Sequence, residues 1–134
     1  MSLYVDSSAL VKRYVLEEQR EEAETTLLSD PVWVTGRHTY VEVSLALRRR
    51  LADAELDIAR NAFEEDWART HIVALDEALC RRGVELGAAT ESRTLDALHL
   101  AAAERAGGRS IPIVTFDVRL ARAARALGFA LIGV

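Results

Sequence analysis

The chain is poor in several residue types, and each shortage removes a class of explanation. One cysteine, Cys80, among 134 residues excludes an internal disulfide, and small cysteine-rich metal sites need more thiols than one. Seven glycines and two prolines are too few for a fibrous or loop-dominated chain. No apolar run approaches the ~20 residues of a membrane-spanning helix. Asp6 falls too early for the apolar core of a signal peptide, so a cytoplasmic protein without membrane contact is expected. Lysine occurs once, as Lys12, and the other sixteen basic residues are arginine. Seventeen basic residues against 21 acidic ones, a formal charge of −4, exclude a generally basic nucleic-acid binder but leave room for local basic patches.

What is present suits one folded domain spanning residues 1–134. Half of the residues are hydrophobic and 28% are charged, enough apolar surface to offset the entropy of ordering. Residues 3–5, Leu-Tyr-Val, form a short apolar run ending at Asp6. Leu10, Val11, Tyr14 and Val15 then recur at helical spacing. A second helix is expected over about 18–28, ended by Ser29-Asp30-Pro31. Residues 32–34 read as a strand and 38–51 as a longer helix. Asp53 is placed as the N-cap of the next helix, striped by Leu56, Ala59, Phe63 and Trp67. Strand 71–74 precedes a helix through Leu79, Gly83 and Leu86. Residues 90–93 read as a loop, and Thr94 as the cap of a helix carrying Leu95, Leu98 and Ala102, closed by Gly107-Gly108. The clearest strand is 111–115. Asp117 opens the last helix, Gly128 ends it, and 130–134 is a terminal strand. Strands that are apolar throughout and alternate with helices imply a parallel sheet covered on both faces.

In open α/β sheets the working crevice lies beyond the carboxyl ends of the strands. Asp6 ends the first strand and Asp117 follows the strongest later one. Glu42, between Val41 and Val43, and Asp96, in a helix's first turn, lie within helices. Each has an ordinary alternative: Asp6 and Asp117 as helix caps, Asp96 as an acid favoured by the helix dipole, Glu42 as a solvated residue. Gathered at one rim, four carboxylates repel one another unless a cation sits among them. Mg²⁺ or Mn²⁺, which prefer hard oxygen ligands, can lower the pKa of water and stabilise charge on a phosphate under attack.

Four segments, YVDSSALVK (4–12), VEVSLALRR (41–49), TLDALHLA (94–101) and VTFDVRL (114–120), together resemble the PIN-domain family, above all its VapC-type ribonuclease toxins from bacterial toxin–antitoxin modules. The resemblance runs along the whole chain. It implies a three-layer α/β/α fold with a central parallel sheet and a Mg²⁺- or Mn²⁺-dependent ribonuclease whose carboxylates match Asp6, Glu42, Asp96 and Asp117. It further implies a cognate antitoxin covering the acidic pocket, and a homodimer.

On that reading Asp6 and Asp96 are the primary metal ligands. Glu42 binds metal directly or through water and helps to orient or deprotonate the attacking water. Asp117 completes the pocket or holds a second ion. Thr115 and Ser7 are expected to support these acids, or else to be a strand residue and a cap; Ser8 shares that alternative. Arg49, seven residues beyond Glu42 on one helical face, Arg93 and Arg119 are the arginines expected at RNA phosphates, against the alternative of a solvated, salt-bridged surface. His99, one turn from Asp96, is expected to be structural, and His38 and His71 show no partner in sequence. Cys80, Trp33 and Trp67 read as core.

Two other functions compete. A receiver-like phospho-signalling domain would use Asp76 as phosphoacceptor, but needs a lysine after a late strand, and Lys12 lies on the first helix. A PIN-like binding module without catalysis would not need all four acids.

Overall fold

A computed structural model describes residues 2–134. Five parallel strands form one sheet: β1 (Leu3–Val5), β2 (Trp33–Gly36), β3 (His71–Val73), β4 (Ile113–Thr115) and β5 (Leu131–Gly133), in the order β3-β2-β1-β4-β5. Helices α1 (Ser7–Tyr14), α2 (Arg20–Leu28), α3 (His38–Arg50) and α4 (Asp53–Arg69) connect the first three strands. Helices α5 (Glu77–Thr90) and α6 (Thr94–Gly107) return the chain from β3 to β4, and α7 (Val118–Ala126) joins β4 to β5.

The strands bury side chains on both faces, as their continuous apolar character requires. Leu3 and Val5 of β1 and Val114 of β4 pack with Leu10, Leu27, Val43, Leu47 and Phe63, the core beneath α1–α4. Tyr4 and Ile113, their neighbours on the alternate pleat, pack with Leu79, Leu86, Leu100, Leu120 and Phe129 beneath α5–α7. The result is the three-layer α/β/α arrangement. The chain steps outward from β1 to β2 and β3 over one face and outward to β4 and β5 over the other. Its topological switch point therefore lies between β1 and β4, the place where such sheets open a crevice at their carboxyl ends.

Several local expectations are corrected. Strand β2 runs on to Gly36, beyond the apolar triplet 32–34, because the buried Thr35 hydroxyl donates to Val5 O at 2.6 Å and meets Thr39 Oγ1 at 2.7 Å. Strand β4 starts at Ile113, after Pro112, which has no N–H for a ladder. Helix α2 starts at Arg20, behind Gln19 at a left-handed φ of 65°. Asp53 is not a cap. It is the first residue of α4 with φ 52°, and no side chain caps that helix. Thr94 likewise lies inside α6, preceded by Arg93 without a side-chain cap. Thr90 belongs to α5, not to a loop. Leu95 is exposed, because the α6 core stripe instead runs through Ala97, Leu100 and Ala101. Cys80 is exposed on the outer side of α5 and is not a core residue. Trp33 and Trp67 do pack against the core, half-buried. No helix among the described residues is long and apolar enough to cross a membrane.

Candidate active site

Asp6 follows β1 and caps α1, so part of what fixes its carboxylate is local in the chain. Its Oδ1 accepts from Ala9 N at 3.2 Å and from Ser8 Oγ at 2.7 Å. From β4, Thr115 Oγ1 donates to Oδ2 at 2.9 Å. Thr115 in turn accepts from Asp117 N at 3.0 Å, and Ser8 Oγ from Phe116 N at 2.9 Å. The two strands flanking the switch point are thus laced together through the Asp6 carboxylate. Capping and site-building, alternatives in the sequence, are the same set of contacts here.

Asp117 caps α7 and accepts from Arg119 N and Leu120 N through Oδ1. Asp96, in the first turn of α6, is buried, with Arg93 Nε 4.0 Å away at the rim. Burial pushes both Asp6 and Asp96 above the ordinary carboxylate range. For Asp96 the neighbouring Asp117 charge adds to the rise. For Asp6, His99 and its three hydrogen-bond donors pull the other way without overcoming burial.

Glu42 is not a solvated mid-helix residue. It is turned inward, and its Oε1 lies 2.8 Å from His99 Nε2 on α6. Burial alone would raise its carboxyl; the hydrogen bond and charge of His99, then His38 and the Ser7 hydroxyl, reverse this and hold it below the usual value. His99 is buried in the middle of the acids. Burial opposes its protonation, but Glu42, Asp6 and Asp96 outweigh that and raise its pKa. Its other ring nitrogen, Nδ1, lies 2.9 Å from the hydroxyl of Tyr4 on β1. His99 therefore bridges β1, α3 and α6, a role that the sequence pattern does not announce. Its spacing of three residues from Asp96 is the one local signal for it.

Beside the acids runs a cleft of about 650 Å³, bordered by Ser7, Lys12, Glu42, Arg49 and Phe116. Arg49 is exposed at its mouth, as its spacing from Glu42 anticipated. Neighbouring Arg50 is instead committed to Glu17, which also holds Lys12 at 3.1 Å. A second cleft, of about 740 Å³, brings Arg93, Arg119 and Arg122 beside Asp96. His71 lies exposed at the sheet edge. Asp76, the residue a phosphoacceptor reading needs, follows edge strand β3, where it caps α5 and binds Arg105 at 2.9 and 3.0 Å. Lys12 is held by Glu17 and the Glu18 carbonyl. Neither is arranged for phosphoryl transfer.

Residues 3–126 match the family pattern described as PIN domain. The chain belongs to the PIN-domain family. Among curated relatives, it is 34% identical to ribonuclease VapC46 of Mycobacterium tuberculosis over 98% of this chain and 96% of that protein. It is 30% identical to ribonuclease VapC45 of the same species over 94% and 91%. Among solved structures, it is similar to M. tuberculosis VapC20, described as a sarcin–ricin loop cleaving toxin, with a TM-score of 0.76 at 19% identity over 98% and 99% of the two chains. FitAcB from Neisseria gonorrhoeae gives a TM-score of 0.78 at 15% identity over 99% and 97%. A PIN-domain chain therefore carries these acids at the carboxyl edge of its sheet.

Proposed function

We propose that this PIN-domain chain is an endoribonuclease, the toxin of a toxin–antitoxin pair, which hydrolyses RNA phosphodiester bonds with a divalent metal ion bound among Asp6, Glu42, Asp96 and Asp117. The observation that carries the reading is that Thr115 links the Asp6 carboxylate to Asp117 at the ends of β1 and β4, while His99, one turn beyond Asp96 on α6, meets Glu42 at 2.8 Å. The curated relatives, named as ribonucleases, support the same activity.

The donor set fits a hard cation. Asp6 and Asp96 are carboxylates pushed upward by burial, and for Asp96 also by the Asp117 and Glu42 charges, a cost that a cation bound among them would relieve. Arg93, the nearest arginine to Asp96, stands only at the rim. Asp6 and Asp96 would be the principal ligands, with Glu42 and Asp117 completing the shell. A bound Mg²⁺ or Mn²⁺ supplies a lowered pKa for water and charge neutralisation on the phosphate.

The chain's own residues do the rest. Ser8, Thr115 and the Ala9 amide fix the Asp6 carboxylate. Glu42, with Oε1 engaged by His99, keeps Oε2 to orient the attacking water and take its proton. Ser7 supports Glu42. Arg49 on one side, and Arg93 and Arg119 on the other, hold RNA phosphates on either side of the scissile bond.

An antitoxin segment would lie in the cleft beside Glu42, whose rim exposes Val41, Leu45 and Leu95. Such apolar side chains beside an acidic pocket suit a protein partner that covers it. Solved toxin–antitoxin complexes among the structural relatives support this pairing. A homodimer would use other apolar surface, for which exposed Leu16 and Ile58 are available.

The deciding experiment is sequencing of RNA ends after induced expression of the wild type beside Asp6→Ala, followed by cleavage assays on purified protein with Mg²⁺, with Mn²⁺ and after chelation. New ends only with the wild type, lost on chelation and restored by metal, are expected. Equal cleavage by Asp6→Ala would overturn the assignment, and indifference to exhaustive chelation would overturn the metal mechanism. A metal-independent binder, the surviving alternative, would produce no new RNA ends.

A further inference from the structure

His38, the first residue of α3, borders the cleft but takes no part in the cleavage proposed above. It is 7% exposed, and neither of its ring nitrogens has a hydrogen-bond partner among the described residues. A buried polar group left unpaired costs roughly 1–3 kcal/mol, and such groups are uncommon. The ring is nevertheless given a fitted place. Gly36 lies beneath it, and a Cβ there would come within 2.5 Å of the His38 ring. The His99 ring lies beside it, with centroids 4.2 Å apart and planes tilted by 54°. His38 Nε2 points toward Glu42 Oε1 at 3.8 Å, too far for a hydrogen bond.

From these contacts we propose that His38, Glu42 and His99 form a second metal site, selective for a borderline divalent ion such as Zn²⁺, which shares Glu42 with the carboxylate pocket and adjoins it through His99. One ligand atom from each residue lies within 4.8 Å of the others. Zinc bonds of about 2.0–2.1 Å in tetrahedral geometry separate neighbouring ligands by roughly 3.3–3.5 Å. The observed 3.8 Å between His38 and Glu42 and 2.8 Å between His99 and Glu42 bracket that value, so each imidazole needs to shift about the carboxylate by roughly half an ångström. Two imidazoles beside one carboxylate make a set that suits Zn²⁺ and its transition-metal neighbours, whereas Mg²⁺ prefers a shell of oxygen ligands. The surrounding contacts agree. With the ion on Nε2 of His99, the proton leaves that atom and Nδ1–H donates to Tyr4 Oη, the outer hydrogen bond that ligating histidines usually make. His38 and Glu42 both line the cleft, which would give an ion access to them.

The site has a regulatory consequence that rests on the nuclease reading. An ion held here draws Glu42 from the carboxylate pocket, so occupancy suppresses cleavage. The antitoxin face and the zinc site would then be two restraints that meet at one carboxylate and one cleft.

The test begins with metal-free protein titrated with ZnCl₂ against a chromogenic chelator, with no RNA present. One Zn²⁺ per chain is expected. Affinity should fall at least about tenfold in His38→Phe, a ring of similar size without donors, and should persist in Asp96→Asn. In labelled wild-type protein, imidazole resonances of His38 and His99 should move on zinc addition while those of exposed His71 stay put, a readout that needs no variant. Absence of binding, equal binding by His38→Phe, or loss of binding in Asp96→Asn alone would each overturn the proposal. In cleavage assays, Zn²⁺ should inhibit the wild type at levels that leave His38→Phe active with Mg²⁺. Inhibition of both alike would remove the regulatory consequence. A chain that binds zinc as expected but cleaves no RNA would retain the metal site and lose the nuclease reading.

Discussion

Glu42 Oε1 and His99 Nε2, 57 positions apart in sequence, meet at 2.8 Å inside the protein. The pair ties α3 to α6 across the sheet, and Tyr4 anchors the far side of the ring from β1. An acid proposed for water activation is thereby held in place by a group that a sequence pattern assigns only to packing.

Removing that group should cost both fold and function. His99→Ala removes a hydrogen-bond partner from the buried Tyr4 hydroxyl and from the half-buried Glu42 carboxylate. Stability should fall by roughly 2–4 kcal/mol, with cleavage reduced at temperatures where the variant remains folded. His99→Gln, which keeps an amide donor for Glu42, should recover part of both. Chemical denaturation and single-turnover cleavage measure the two effects; an Ala variant as stable and active as the wild type would contradict the bridging role.

Asp96→Asn should separate activity from stability. Burial and the Asp117 charge make the ionised form of Asp96 unfavourable in the folded protein. Its folded pKa lies above the ordinary value of 3.8, so its contribution to stability is present below that value and lost as pH rises through the raised one. At neutral pH the amide should unfold at a higher temperature than the metal-free wild type, and the difference should shrink toward acid. Cleavage should fall by more than about 100-fold, since even outer-shell changes at metal sites cost 10–100-fold. Thermal unfolding across pH, paired with a cleavage assay, decides it.

Magnesium should reverse the same penalty. A cation that binds only the folded state stabilises it by mass action. Mg²⁺ should therefore raise the unfolding temperature of the wild type at neutral pH and leave Asp6→Asn and Asp96→Asn nearly unmoved. An equal rise in all three proteins would place the ion elsewhere.

Arg49 and Arg119 should act on binding more than on chemistry. Removing one cationic partner of a single-stranded RNA phosphate reduces the salt slope of log K by about 0.7. Arg49→Ala and Arg119→Ala should each weaken RNA binding and flatten its salt dependence by roughly that amount. Single-turnover rates at saturating RNA should change little. Arg50→Ala, whose guanidinium is already engaged by Glu17, should have the smaller effect on binding.

Asp66 offers a control away from the site. It is buried on α4, accepts from Arg13 Nε at 2.7 Å, and also binds the Tyr14 hydroxyl, fastening α4 to α1. Asp66→Ala should destabilise by about 2 kcal/mol while leaving the cleavage rate of the folded protein unchanged, by denaturation and activity at low temperature.

Much of this protein is legible in its amino-acid order. The apolar run Leu3-Tyr4-Val5 announces β1, the run 71–74 announces β3, and the spacing of Leu56, Ala59, Phe63 and Trp67 announces α4, because these patterns are local properties of the chain. Asp6 and Asp117 are legible for the same reason: each stands at a strand end and caps the helix that follows, so neighbours in sequence orient it. What folding alone settled is non-local. The strand order β3-β2-β1-β4-β5 carries α3 and α6 to the same rim; His38 shares the Glu42 face of α3 by its i,i+4 spacing, but nothing near His99 in sequence specifies that it meets Glu42. Burial without a partner, as at His38, and exposure where packing was expected, as at Cys80, depend on which face each helix turns to its neighbours, and that is decided when the layers close.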